Sequence, residues 1–138
     1  MTRVRRSAAD SIKAKMKIEL KDIFCVEWEF DREIILDSDQ AYTVTAFFGP
    51  AGTEASEAFY ITVCNLDYVK KREKEEGFFN GRWHLVIENP TKENLKEYFQ
   101  NQIMMLSGET WEDYYQKLRL IGKSEFEDYD NGERGDGH

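Results

Sequence analysis

Tyr42-Thr-Val-Thr-Ala-Phe-Phe48, followed across Gly49-Pro-Ala-Gly-Thr53 by the run from Glu57 to Cys64, decides the fold of this chain. β-Branched and aromatic residues fill both runs, and such side chains suit a pleated, half-buried surface. In the second run Phe59, Ile61 and Val63 recur at period 2 and share one face. Two such runs joined by a Gly/Pro loop read as an antiparallel hairpin, with a loop longer than the tightest types.

Upstream, Met16 to Phe30 also alternates. Ile18 and Leu20 interleave with Glu19 and Lys21, and Val26, Trp28 and Phe30 interleave with Glu27 and Glu29. The pattern predicts strand, in one or two pieces broken near Asp22. Asp31 to Gln40 reads as a polar connection around Ile34-Ile-Leu36.

Downstream, Asn65 can cap a helix over Leu66 to Glu76, with Gly77 as its stop. Its mixed Lys, Arg and Glu residues suit a solvated face. Trp83-His-Leu-Val-Ile87 predicts a further strand, with Trp83, Leu85 and Ile87 on one face and His84 on the other. Thr91 opens a helix to about Leu106, carried by Leu95, Tyr98, Phe99, Ile103 and Leu106, with Gly108 as a stop. Thr110 with Asp113 resembles a capping box, and Trp111, Tyr114, Tyr115, Leu118 and Ile121 form the next apolar stripe. Phe126 falls in a short extended piece.

The expected fold is therefore α+β: an antiparallel sheet with two C-terminal helices packed on one face and a short helix between strands. With 138 residues the chain has room for one domain. The expected division is a basic, disordered leader over 1–15, the domain over 16–129, and a disordered tail over 130–138.

Charge separates these parts. Residues 1–15 hold five basic side chains against Asp10, a net of +4, which leaves −12 on residues 16–138 of a chain whose total is −8. The leader lacks the apolar stretch of roughly 7–15 residues that a secretion signal needs. Apolar runs such as Ile103-Met-Met-Leu106 fall far short of the roughly 18 residues that span a bilayer. Cys25 and Cys64 lie in apolar runs and read as buried free thiols in a reducing cytoplasm.

Catalytic equipment is sparse. The histidines are His84 and His138, and no Cys-x-x-Cys pair accompanies them, so the spacing of a zinc site is missing. Gly77-Phe-Phe-Asn-Gly-Arg82 lacks the Lys-Ser/Thr ending of a phosphate-binding loop. Glu27 and Glu29 share one face of the expected strand, which leaves a small acid/base enzyme as one alternative; alternate acids on the wet side of a strand are the commoner case. A dimeric structural or regulatory subunit is another. No cofactor is called for, and the acidic balance disfavours direct nucleic-acid binding.

The chain reads better as one that holds a partner. Glu125, Glu127, Asp128, Tyr129 and Asp130 form its densest acidic segment, suited to a basic partner or equally to a solubilising terminus. Phe78 and Phe79 are either core plugs or exposed anchors.

Four pieces, in this order and spacing, carry a resemblance: Phe59 to Val69, Gly81 to Ile87, Thr110 to Leu118, and Glu125 to Tyr129. Together they resemble the immunity protein 8 family of bacterial polymorphic-toxin systems, over nearly everything from Met16 to Tyr129. The resemblance implies a small, cytoplasmic, non-enzymatic α+β antidote. Its partner would be a cognate toxin domain, a basic nuclease being one candidate, bound by a monomer or homodimer. It transfers no catalytic residue.

Overall fold

The computed structural model describes residues 16–29 and 40–127. The expected leader, the connection around Ile34, and Asp128, Tyr129 and Asp130 with the rest of the tail lie outside the described residues. Within them the order is β1 (Ile18–Phe24), α1 (Val26–Glu29), β2 (Ala41–Pro50), β3 (Glu57–Cys64), α2 (Leu66–Glu76), β4 (His84–Val86), α3 (Lys92–Met104), α4 (Trp111–Ile121) and β5 (Lys123–Ser124).

The hairpin read from the sequence is the centre of the sheet. β2 and β3 pair antiparallel from Ala41 opposite Cys64 to Phe48 opposite Glu57. Gly49 is required there, because a Cβ on it would stand 1.9 Å from the Ala55 carbonyl oxygen. β1 lines the other edge of β2, and β4 and β5 both pair with β3. The sheet is antiparallel except where β4 runs parallel beside Thr62–Cys64, the direction that a helical crossover through α2 imposes.

β1 is bulged. Leu20 faces Phe48 and Asp22 faces Phe47, so Lys21 is the extra residue. The bulge rephases the alternation, which lets Ile18, Leu20 and Ile23 all turn toward the same core. Beyond it the expectation of strand fails: Val26 to Glu29 form a helical turn, opened by the Trp28 N–H donating to the Cys25 carbonyl at 3.0 Å. The period-2 premise that placed Glu27 and Glu29 on one face is absent there.

The core lies between the sheet and α3 and α4. Val44, Ala46, Phe48, Phe59, Ile61 and Val63 face it from the hairpin, against Leu95 and Phe99 of α3 and Tyr114 and Leu118 of α4. Phe48 meets Phe59 at 5.7 Å and Phe99 at 5.9 Å between ring centroids, and Phe59 meets Tyr115 at 5.8 Å. Each fully buried ring of this kind contributes about 1.5–3 kcal/mol through its removal from water. Cys25 and Cys64 are buried free thiols, and burial pushes both thiol pKa values up.

The caps read from the sequence are present. Asn65 accepts from the Tyr68 N–H at 3.0 Å, and Gly77, at φ 86°, closes α2 by donating to the Glu73 carbonyl. Thr110 with Asp113 forms the expected capping box, and Thr91, read only as a helix start, forms a second one with Asn94. Gly108 acts differently from the helix stop expected of it: α3 ends at Met105, and Gly108 leaves room for Asp113, whose Cβ would be 2.9 Å from a Cβ there. Phe126 lies in a turn after β5, 45% exposed.

The Asp113 cap has a pH signature. Its carboxylate accepts from the Glu109 N–H at 3.0 Å and the Thr110 N–H at 3.2 Å. These bonds hold its pKa below the ordinary carboxylate value. Such a group stabilises the fold above its unfolded-state pKa, and that contribution is lost as pH falls through the lower folded-state value. Asp113→Asn should therefore melt below wild type at neutral pH, and the gap should narrow as the solution is acidified through and below the ordinary carboxylate range. Melting temperatures of the two proteins across that range check the expectation.

Candidate functional site

The expected acidic patch divides within the described residues. Glu125 is exposed, and its backbone N–H and one carboxylate oxygen bond to the Ala58 carbonyl and N–H, prolonging the β5 pairing along the edge of β3. Glu127 is only 7% exposed and its carboxylate ion-pairs with the Arg119 guanidinium from α4. Two residues apart in sequence, one carboxylate faces water and the other locks a helix to the chain that follows it. Phe78 is 65% exposed, whereas Phe79 packs edge-on against His84 at 4.9 Å.

The face of the sheet opposite α3 and α4 supplies what the sequence did not reveal. Register places Phe24, Thr45 and Tyr60 in one row across it, with Thr43 beside Thr62 in another. At its β4 edge lies a cleft of about 300 Å³ lined by Thr43, Tyr60, Thr62, Arg82, Trp83, His84 and Lys123.

Trp83 shapes this cleft. It has φ 60°, the one positive φ among described non-glycine residues. A side chain held there costs on the order of 1–3 kcal/mol, so its surroundings must fix it. They do: its carbonyl accepts from the Thr62 N–H at 2.8 Å, and its indole Nε1 donates to the Arg119 carbonyl at 2.7 Å. That carbonyl belongs to the last turn of α4, where no intrahelical donor remains for it. The twist also overturns the expected alternation. Trp83 is a turn residue, and it lines the cleft together with His84, while Leu85 and Ile87 pack toward the core.

Cations and rings alternate along the rim. The Arg82 guanidinium stands 4.5 Å and the Lys123 ammonium 5.9 Å from the centre of the Trp83 ring. His84 lies between Phe79 and Tyr68, and Arg72 sits 5.8 Å over Tyr68. The His84 Nδ1 is 2.8 Å from the Arg82 carbonyl, which can only accept, so that nitrogen carries a proton.

A larger groove of about 800 Å³ runs past Met16, Lys17 and the loop between α3 and α4. Several of its polar groups are already engaged in structure: Asp113 caps α4, the Lys117 ammonium donates to the Ser107 carbonyl, and the Tyr114 hydroxyl donates to the Met16 carbonyl at 2.8 Å. Among the described residues no group of three or more His, Cys, Asp or Glu is placed to hold a metal ion, and no helix is long and apolar enough to cross a membrane.

Comparison with known proteins gives one match. No curated protein and no solved structure matches the chain. The family model described as immunity protein 8 matches residues 19–129, which takes in β1 through β5 and therefore the hairpin, the capped helices and the Trp83 cleft together. The chain belongs to the immunity protein 8 family.

Proposed function

We propose that this protein is the antidote of a polymorphic-toxin pair, binding a cognate toxin domain in the cytoplasm and occluding it without chemical turnover of its own. The family match over residues 19–129 carries the reading, because membership in an immunity-protein family implies a toxin as partner. The docking surface proposed is the β4–β5 edge of the sheet, from exposed Phe78 through His84, Arg82 and Trp83 to Lys123 and Glu125. Arg, Trp and other aromatic side chains are the residues that dominate binding energy at protein interfaces, and here Arg82 and Trp83 stand on the turn that leads into β4, with the Trp83 carbonyl and indole both hydrogen-bonded. Glu125 would add a negative charge beside that surface and speed capture of a basic toxin; Asp128, Tyr129 and Asp130, proposed as further partner contacts, lie outside the described residues. Glu127 belongs to the fold rather than to that surface, since Arg119 already holds it.

The test is co-expression. Cells expressing the C-terminal domain of the toxin encoded beside this chain should grow when the chain is present and stop when it is absent. Growth arrest in both cases, with the chain soluble and folded, contradicts the proposal.

A further inference from the structure

The chain is acidic overall, yet the cleft beneath Trp83 is the reverse. Its seven lining residues include Arg82 and Lys123 and no carboxylate, on a protein whose net charge is −8. Among the described residues no carboxylate ion-pairs with Arg82. Its guanidinium carbon stands instead 4.5 Å over the ring of Trp83, a residue with a strained backbone angle that is held by two hydrogen bonds. A guanidinium held over a ring face by cation–π attraction still has a fork of N–H donors with which to engage an acceptor. The Thr43 and Thr62 hydroxyls and the Tyr60 phenol line the same space. About 300 Å³ accommodates a side chain rather than a cofactor.

We infer that this cleft receives an Asp or Glu side chain of the bound toxin domain, gripped by the Arg82 guanidinium against Trp83. The inference rests on the antidote reading and names the contact that reading leaves open. Charge complementarity selects the occupant. A phosphate-bearing strand would meet a surrounding field of −8, whereas a single carboxylate on an otherwise basic protein satisfies both the local cation and the acidic surroundings. Trp83 serves as the platform that orients Arg82.

The experiment titrates the toxin domain encoded beside this chain into wild type, Arg82→Gln, Arg82→Glu and Lys96→Glu. Lys96 is exposed on α3, on the far side of the sheet, and its reversal changes the net charge as Arg82→Glu does. Arg82→Glu should weaken binding about 100-fold and Arg82→Gln about 10-fold, with Lys96→Glu within about 3-fold of wild type. Reversing one carboxylate of the toxin to Lys should restore affinity to Arg82→Glu and to no other variant. Melting curves identify any Arg82 variant that fails to fold, and the neutral Gln variant carries the test in that event. Wild-type affinity in both Arg82 variants overturns the cleft and leaves the antidote reading standing. Failure of wild type itself to bind overturns both. Tight binding of a short single-stranded DNA, lost in Arg82→Glu, also overturns the proposal by assigning the cleft to a nucleic acid.

Discussion

Replacing Phe59 with alanine should lower the stability of the domain by about 3–5 kcal/mol, the range for truncating a fully buried ring. Phe59 is 1% exposed at the middle of β3 and bridges the two halves of the core, meeting Phe48 on one side and Tyr115 on the other. Backbone surrounds it too. A Cβ built on Gly122 would lie 3.1 Å from the Phe59 Cβ, so β5 closes tightly over this position. Neither a strand pinned by neighbours on both edges nor a helix held by Tyr115 can collapse into the space the ring leaves. Domains of this size have only about 5–15 kcal/mol in total, so the variant should be partly unfolded at physiological temperature. Phe126→Ala is the control: at 45% exposure its loss should cost less than about 1 kcal/mol. Urea unfolding of the three proteins compares the midpoints at constant slope. Equal midpoints for Phe59→Ala and Phe126→Ala would contradict the assignment of the core.

Glu127→Lys should unfold the C-terminal turn, and Glu125→Lys should not. The Glu127 carboxylate is nearly inaccessible and its partner Arg119 is about a third exposed, so the pair is intermediate between a buried and a surface bridge. Breaking a buried pair costs about 3–5 kcal/mol, and partial exposure of Arg119 reduces this to about 2–3 kcal/mol. A lysine in that place adds the repulsion of two cations and the burial of one. The damage should reach further than the pair, because Arg119 also supplies the carbonyl that holds the Trp83 indole. Glu125→Lys loses one part-buried hydrogen bond from the Ala58 N–H and should cost about 1 kcal/mol. Thermal melts of each variant, set beside toxin affinity, separate the two roles. Glu125→Lys should melt near wild type, whereas lost affinity in Glu127→Lys should come with a lower melting temperature.

That contrast marks the limit of what the sequence discloses. The hairpin from Ala41 to Cys64 and the Thr110–Asp113 capping box were legible because each is a local pattern: alternation within one strand, or a hydroxyl three residues before its partner. The α+β class and the two helices on one face followed from their order. Val26 to Glu29 was misread because four residues of alternation fit a helical turn as well as a strand. β5, two residues long, is too short to have a period at all. The site was harder for the same reason. Glu125 and Glu127 look alike in a line of acids, and only the return of α4 places Arg119 beside one of them. The Trp83 cleft depends on a single backbone angle and on residues from β2, β3, β4 and β5, none of them neighbours in sequence except Arg82, Trp83 and His84. A tryptophan flanked by arginine and histidine ahead of a strand was the available signal, and strand alternation alone gave it the wrong face.

The central claim is that this protein works by seating itself on a toxin. Calorimetric titration of the purified chain with the purified C-terminal domain of its proposed cognate toxin tests it most directly. The account predicts saturable binding, one antidote chain per toxin domain, with a Kd in the nanomolar range, about −12 kcal/mol. Absence of binding heat at any temperature, with both proteins folded and the toxin still active in the mixture, would contradict it.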